Sequence, residues 1–199
     1  MSERWLEGAA ALVAALLFFP AAAVPAADLQ AIRSKAQTCF ACHGAEGNSS
    51  NPAVPSIAGQ PSQFIATALF FYRQGDRKDA QMSPVAANLT NADMNDLAAY
   101  FSGQEAAPPR HRSDPAKAAA GARLAQQFNC VQCHARALVG QQHIPRLAGQ
   151  QYEYLRTQLR GFKAGTRADI DGNMTSAAQA LTEKDIEVLV DYLAGLGAQ

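Results

Sequence analysis

Apolar residues recur every three or four positions towards the end of each half of the chain, which is the spacing of an amphipathic helix. In the second half this pattern predicts a helix over residues 182–193, which begins at Thr182 and carries Asp185 three positions on as part of its N-terminal cap. In the first half the same rhythm follows Thr90 and reaches Phe101. The two patterns therefore predict the last helix of each half.

A second pair of helices is predicted in the middle of each half, over residues 61–73 and 152–162. Residues 48–59 and 75–88 are rich in Pro, Gly, Ser and Asn, so they are predicted to be loops. No segment keeps the alternation of apolar and polar residues that marks a half-buried strand. The sequence therefore predicts an all-α fold, with three to five short helices in each half.

The second half of the chain repeats the first at an offset of 90 to 92 residues. PSIAGQ at 55–60 recurs as PRLAGQ at 145–150, and QMSPVAANLT at 81–90 corresponds to NMTSAAQALT at 173–182. Such self-similarity marks a tandem duplication. We therefore predict two small domains built on one plan.

The stretch 103–121 between the repeats combines prolines, charges and small residues, which is typical of a linker. We place the domain boundary near Arg112. The predicted division is an N-terminal signal peptide at 1–26, an N-terminal domain at 27–112 and a C-terminal domain at 113–199.

The N-terminal segment has a short apolar run with no charge between Glu7 and Asp28, and small residues at 24–26 suit a signal peptidase site. We therefore predict a secretory signal that is cleaved and a periplasmic protein. The alternative is an uncleaved anchor helix, which would leave the protein membrane-associated. Pro20 and Pro25 interrupt the run, which disfavours a spanning helix.

The formal net charge of the chain is zero, from 17 basic and 17 acidic residues. No basic field is present to hold the phosphates of DNA or RNA, so nucleic acid is not a predicted partner. Each domain has fewer than roughly 90 residues and long loops, which leaves little apolar material for a core. A large apolar cofactor would fill the centre of each domain.

All four cysteines and two of the four histidines lie in two pentapeptides, CFACH at 39–43 and CVQCH at 130–134. On a helix, positions i, i+3 and i+4 share one face, so both thiols and the imidazole point into one site. C-x-x-C-H is the pattern of covalent c-type haem attachment, in which the thiols add to the two vinyl groups and the histidine lies beneath the iron. The predicted attachment residues are Cys39 and Cys42 with His43 as iron ligand, and Cys130 and Cys133 with His134 as iron ligand.

Cysteine pairs of this kind have three other uses in proteins. In an oxidising compartment each cysteine pair could form a disulfide. A single four-cysteine zinc site would have to join Cys42 and Cys130 across 87 intervening residues, and it would not explain the two histidines. A thioredoxin-like redox site needs a βαβ setting, which the pattern lacks. The remaining histidines, His111 in the linker and His143 in a loop, are expected to be solvated.

Two methionines occupy the same place in the two repeats. Met82 follows His43 by 39 residues, and Met174 follows His134 by 40. A thioether is a soft ligand that can complete the axial coordination of haem iron, and a Met/His pair raises the reduction potential. Met94 lies on the apolar face of the predicted last helix and is expected to pack in the core.

The two pentapeptides, each followed by its methionine, resemble two class I cytochrome c domains in tandem. With the PxxAGQ loops and the MSPVAANLT stretch, the chain resembles the di-haem cytochrome c4 family over nearly all residues after Asp28. The resemblance implies an all-α domain around each of two covalent haem c groups, and an interface at which the haems approach. It also implies that the carbonyl groups of Pro55 and Pro145 accept hydrogen bonds from the ring N–H groups of His43 and His134.

The function that this resemblance implies is electron transfer from a quinol-oxidising complex towards a terminal oxidase, by a monomeric carrier that is not an enzyme. One alternative is a di-haem electron-acceptor subunit of a dehydrogenase. A less favoured alternative is a di-haem peroxidase, which needs one iron with an open or displaceable ligand. The repeats instead place His and Met in the same way twice.

The first repeat departs from the family pattern in one respect. Cytochrome c domains usually pack a glycine and an aromatic residue of the first helix against the last helix. The second repeat has Gly121 and Phe128 for this contact, opposite Tyr192, whereas the aligned positions of the first repeat are Gln30 and Gln37. We therefore predict that the first domain has the looser helix contact and unfolds first.

Overall fold

The computed structural model describes residues 26–197, so the predicted signal peptide lies outside the described residues except for Ala26. Within this range the chain is helical, and its only β-pairing is an isolated bridge between Gln141 and Ile144. The predicted all-α fold is confirmed. No helix between residues 26 and 197 is both long and apolar enough to cross a membrane. The α-helices are α1 (Ala26–His43), α2 (Ser62–Gln74), α3 (Met82–Ala87), α4 (Asn91–Ser102), α5 (Pro115–Gln127), α6 (Cys130–His134), α7 (Tyr152–Lys163), α8 (Asn173–Gln179) and α9 (Glu183–Gly195).

In the first repeat α2 packs against α3 and α4, and α1 packs against α4. The helices present their apolar stripes to one another, as the spacing in the sequence predicts. The half-buried side chains of Cys39 and Phe40, in the first C-x-x-C-H motif, pack against this core. The buried core residues are Ala36, Ile65, Leu69, Met94, Leu97, Ala98 and Phe101.

In the second repeat α9 is the central helix and packs against both α5 and α7. The crossing of α5 and α9 is close because Gly121 has no side chain: a Cβ atom there would lie 2.3 Å from Tyr192 Cβ. The buried core residues are Ala125, Leu138, Ala148, Leu155, Leu159, Leu181, Ile186, Leu189, Val190, Leu193 and Ala194.

The last helix of each repeat begins with the same cap. Thr90 accepts from the Asp93 amide, and the Asp93 carboxylate accepts from the Thr90 amide. Thr182 and Asp185 form the equivalent pair at the start of α9. These capping boxes confirm the predicted start of both helices and satisfy amide groups that the first turn leaves without partners.

Two predictions about loops were wrong. The predicted loop 75–88 contains α3, a helix of six residues that is too short for a periodic pattern to reveal. The predicted linker 103–121 is shorter, because α5 begins at Pro115, where Asp114 caps the helix and proline suits the first position. The boundary near Arg112 stays a prediction.

Candidate haem-binding sites

The two C-x-x-C-H motifs lie on helices, but the chain enters them differently. The first occupies the C-terminal end of α1 without a break, whereas Asn129, with φ +55°, separates α5 from the second motif in α6. Asparagine is among the residues that tolerate this left-handed conformation. No disulfide joins any of the four cysteines, all of which lie in the described part of the chain. Cys39 and Cys130 are half-buried, and Cys42 and Cys133 are exposed.

Both motif histidines are buried and are held by one ring nitrogen. His43 Nδ1 donates to the carbonyl oxygen of Pro55 at 2.8 Å, and His134 Nδ1 donates to that of Pro145 at 2.8 Å. These are the two bonds that the family resemblance implied. They fix the tautomer and orientation of each ring. Within residues 26–197 no hydrogen bond involves Nε2 of either ring, so that nitrogen is free to bind a metal.

The electrostatic surroundings favour neutral imidazole rings. Burial lowers the pKa of His43 and of His134, and the hydrogen bond to the proline carbonyl offsets this only in part. Burial disfavours the charged form of histidine. Because metal ligation requires the neutral ring, the lowered pKa of each side chain favours the form that iron needs.

Each repeat brings a methionine to the same core as its cysteine motif. Met82 and Cys39 both pack against the first core, and Met174 and Cys130 both pack against the second core. Both methionines are half-buried and lie in the first turn of a short helix. Met94 is 3% exposed within the first core, which agrees with its predicted packing role.

Two aspartates that the sequence analysis missed hold these methionine segments. The Asp79 carboxylate accepts from the amide of Met82 at 2.8 Å, and the Asp169 carboxylate accepts from the amide of Met174 at 2.8 Å. Asp169 also accepts from the amide and hydroxyl of Thr175. Asp79 and Asp169 are 90 residues apart, so the repeat offset was the signal that could have found them.

The proline loops at 55–60 and 145–150 are anchored in the same way in both repeats. The Gly59 amide donates to the carbonyl of Phe101 at 2.9 Å, and the Gly149 amide donates to that of Leu193 at 2.9 Å. Each loop is thereby tied to the last helix of its repeat. This hydrogen bond holds the loop so that its proline carbonyl can accept from the buried histidine.

Three arginines near the junction of the repeats lack an acidic partner. Arg146 is 4% exposed, while Arg77 and Arg167 are half-buried. Arg77 Nη2 donates to Tyr154 Oη and to Gln158 Oε1, both at 3.1 Å, and Arg167 Nη1 donates to the same Gln158 oxygen. Within residues 26–197 no carboxylate forms an ion pair with any of the three.

The Nε atoms of Arg146 and Arg167 are buried and have no hydrogen-bond partner in the described part of the chain. A buried cation is stable only when it is paired, so these groups suit an anionic ligand. The porphyrin of haem carries two carboxylates on an apolar ring. The thiol pair, the neutral imidazole, the nearby thioether and the unpaired arginines together fit two haem c groups.

The two other histidines lie away from these sites. His111 is not simply solvated, as the sequence analysis expected: it is half-buried, its Nε2 lies 2.8 Å from an Asp191 oxygen, and its ring lies against Tyr152. The contact fastens the linker to α9. His143 is half-buried in the loop of the β-bridge. No cluster of three or more His, Cys, Asp or Glu side chains suited to a metal ion occurs between residues 26 and 197.

The chain is similar to known proteins over most of its length. The family model described as cytochrome c matches the chain twice, over residues 31–104 and 118–197. The chain is 35% identical to cytochrome c4 of Pseudomonas aeruginosa over 86% of its own length and 90% of that protein. It is also 34% identical to the thiosulfate dehydrogenase electron acceptor of Thiomonas intermedia, over 80% of this chain and 79% of that one.

The fold is also similar to a solved structure. The crystal structure of reduced recombinant cytochrome c4 from Pseudomonas stutzeri superimposes with a TM-score of 0.77 at 34% sequence identity. The match covers 84% of this chain and 97% of that one, so the whole two-domain arrangement is shared.

Proposed function

This chain belongs to the cytochrome c family, as a di-haem member of the cytochrome c4 group, and from that premise we propose that it carries electrons in the periplasm from a quinol-oxidising complex towards a terminal oxidase. The single observation that carries the proposal is the twofold occurrence of one donor set. In each repeat the first cysteine of the motif and a methionine pack against one core, and the buried histidine of the same motif is held by a proline carbonyl.

The proposed haem ligands are equivalent residues in the two repeats. The thiols of each motif would attach one haem c, and the imidazole and the thioether of the same repeat would ligate its iron. The division into domains at 27–112 and 113–199, with one haem c in each, is part of the same proposal. The proposed attachment residues are Cys39, Cys42, Cys130 and Cys133, and the proposed iron ligands are His43, Met82, His134 and Met174.

Haem supplies a one-electron ferric–ferrous couple when bound. The chain's residues set the conditions for it. The Pro55 carbonyl keeps the proton of His43 on Nδ1 and so presents Nε2 as the ligand atom. Asp79 holds the first turn of α3, which limits movement of Met82 away from the site. The apolar core excludes water, and a Met/His pair with little water favours a high reduction potential.

A carrier is favoured over an enzyme because both repeats provide a thioether for the sixth position. With both axial positions filled, substrate has no open coordination site, and electrons pass without bond making. A peroxidase would need unlike surroundings at the two irons and one displaceable ligand. The equivalent contacts of the two methionine segments argue against that arrangement.

A second candidate function is that of an electron-acceptor subunit of a dehydrogenase. It is supported by the similarity to the thiosulfate dehydrogenase electron acceptor of Thiomonas intermedia. The two functions share the same haem sites and differ only in the partner. Affinity purification of the tagged chain from its own host, followed by identification of bound redox enzymes, separates them. A stable complex with a dehydrogenase would favour the subunit, and a protein that purifies as a monomer would favour the free carrier.

The first experiment is an absorption spectrum of the mature protein, oxidised and reduced, with a covalent haem count by pyridine haemochrome. We expect two haems per chain, both low-spin, with the weak far-red band of methionine-bound ferric iron. One high-spin haem, or a spectrum without the methionine band, would contradict the carrier and favour the peroxidase.

A further inference from the structure

Two buried glutamines cross the junction of the repeats and make the same contact in opposite directions. Gln150 Oε1 accepts from the amide of Ser56 at 2.8 Å, and Gln150 Nε2 donates to the carbonyl of Ser56 at 2.8 Å. Gln60 Oε1 accepts from the amide of Arg146 at 2.9 Å, and Gln60 Nε2 donates to its carbonyl at 3.0 Å. Each side-chain amide is thus paired with both backbone groups of one residue in the other repeat.

The residues that receive these contacts directly follow the two loop prolines. The amide N–H of Ser56 belongs to the same peptide group as the carbonyl of Pro55, which accepts from His43. The amide N–H of Arg146 belongs to the same peptide group as the carbonyl of Pro145, which accepts from His134. Each of these peptide groups therefore lies between the histidine of its own repeat and a glutamine of the other.

We propose that Gln60 and Gln150 are positioning residues that lower the reduction potential of the haem iron in the opposite domain. They act through the peptide group that binds the histidine ligand of that iron. This inference rests on the proposed function, because it assumes that His43 and His134 ligate iron. By this arrangement Gln150 acts on the His43 site and Gln60 acts on the His134 site. Each iron is thereby tuned by a side chain from the other domain.

The physical reason is polarisation along a chain of hydrogen bonds. An acceptor on the N–H side of a peptide group moves electron density onto its carbonyl oxygen, and consecutive bonds strengthen one another. A stronger carbonyl acceptor draws the Nδ1 proton of the histidine and makes the ring a better donor to iron. Greater donation stabilises ferric iron, so the glutamine lowers the reduction potential of the site that it reaches.

The surroundings make this effect large enough to measure. Gln60 is 2% exposed and Gln150 is 4% exposed, so water cannot take the place of either side chain. Both partners, Ser56 and Arg146, are also buried. In such a low-dielectric setting each hydrogen bond is electrostatically stronger than at the surface.

The test replaces each glutamine by methionine in the full-length holoprotein, because methionine has a similar length and volume but cannot make these bonds. Potentials are measured by redox titration followed by proton NMR of the ligand methionine methyl groups, which Met82→Leu and Met174→Leu assign to their domains. In Gln150→Met we expect the ferric–ferrous equilibrium at the His43 site to shift three- to tenfold towards ferrous iron, about 28 to 59 mV upwards for a one-electron couple. The His134 site should stay within twofold. Gln60→Met should give the converse pattern.

Gln151→Met is the matched control, since Gln151 also crosses the junction but bonds to the Ser49 carbonyl and the Ser56 hydroxyl instead of a proline peptide group. It should loosen the junction and leave both potentials in place. Equal shifts at both sites, a shift in the domain that carries the substitution, or a similar shift in Gln151→Met would overturn the inference. A wild-type protein without two ligand-methionine signals would overturn the proposed ligation, and this inference with it.

Discussion

Met82 and Met94 lie in the same repeat but in different surroundings. Met94 is enclosed by the first core, while Met82 is half-buried in the first turn of α3 beside the cysteine motif. In Met82→Leu we expect the far-red band of the ferric protein to fall to about half and the potential of one site to fall, because one of two sulfur ligands is lost. Absorption spectra and redox titration measure both effects.

Met94→Leu is the matched control for that experiment. It conserves apolar volume in the core, so both sulfur ligands stay in place and the unfolding free energy falls by less than about 1.5 kcal/mol. A full-strength band in Met82→Leu, or a weakened band in Met94→Leu, would show that the wrong methionine has been assigned to iron.

Asp169 gives a second prediction for single residues. Its carboxylate accepts from the amide groups of Met174 and Thr175, and hydrogen bonds to a charged acceptor are worth about 1.5 to 3 kcal/mol. In Asp169→Ala we expect an added strong ligand such as imidazole to displace Met174 at roughly tenfold lower concentration, read from the far-red band. In Asp76→Ala, which removes an exposed carboxylate without a hydrogen bond or ion pair within residues 26–197, the displacement should match the wild type.

For individual residues, the sequence predicted those that the repeat marks by chemistry. Cys and His in a fixed pentapeptide are specific signals, and the repeat offset favours Met82 over Met94. Asp79 and Asp169 were missed because a single aspartate in a loop has many ordinary uses. His111 was misjudged because its contact with Asp191 joins residues 80 positions apart, which no local pattern shows.

At the scale of elements, the crossing of α5 and α9 depends on Gly121. In Gly121→Ala the new methyl group would overlap Tyr192 Cβ and the Val188 carbonyl, at 2.3 and 2.9 Å, so the two helices must move apart. Overpacking of this kind costs about 1 to 3 kcal/mol. Chemical denaturation of the holoprotein measures the loss. Gln30→Ala, at the aligned and exposed position of α1, should change stability by less than about 0.5 kcal/mol.

The first domain holds its helices together by another contact. The Phe40 ring, which lies inside the cysteine motif, packs against Tyr100 and Phe101 at centroid distances of 6.4 and 6.2 Å. Gln30 and Gln37 are exposed and add nothing to the core. The Phe40 contacts therefore replace only part of the contact that a glycine and an aromatic residue of the first helix would make. Earlier unfolding of the first domain stays our prediction. Hydrogen exchange of the intact protein should show faster exchange in α4 than in α9, and the reverse order would contradict it.

The predictability of the elements followed the clarity of their apolar spacing. In α2, α4, α7 and α9 this spacing stands out, and two of these helices carry an evident cap. The equally long helices α1 and α5 are rich in alanine and polar residues, so no apolar stripe marks them in the sequence. The short helices α3 and α8 have six and seven residues, and isolated segments of that size are not stable. Their conformation depends on tertiary contacts with Asp79, Asp169 and the cores, which local sequence does not encode.

At the scale of the whole molecule, the junction of the repeats could not be predicted from the sequence. The duplication indicated two like domains, but not which surfaces meet. In the structure the loops of Pro55 and Pro145 form the junction, and residues at equivalent repeat positions face one another across it. Gln60 and Gln150 gave no signal beyond their place in the PxxAGQ repeat, because a glutamine that binds a distant backbone has no local pattern.

Arg77 and Arg167 occupy equivalent positions in the two repeats and meet at Gln158. Burial lowers the pKa of Arg167 to about 10, so its guanidinium stays charged at neutral pH, and no carboxylate within residues 26–197 pairs with it. A fixed positive charge favours the ferrous state of an iron within its reach, because the ferrous state carries one positive charge fewer. In Arg167→Met we therefore expect the potential of at least one haem to fall, with a three- to tenfold shift of its equilibrium towards ferric iron.

The dependence of the potential shift on ionic strength distinguishes the effect of this buried charge from that of charges at the surface. At 0.1 M salt, interactions between exposed charges are largely screened beyond about 10 Å, whereas interactions of buried charges are screened much less. The shift in Arg167→Met should therefore persist from low to high salt. Arg123→Met, at an exposed position of α5, removes the same charge and should give a small shift that salt abolishes. Equal and equally salt-sensitive shifts in the two variants would mean that Arg167 acts only through the net charge of the molecule. A persistent shift confined to Arg167→Met would show that the junction of the domains contributes an unscreened charge to the potential at which electrons are carried.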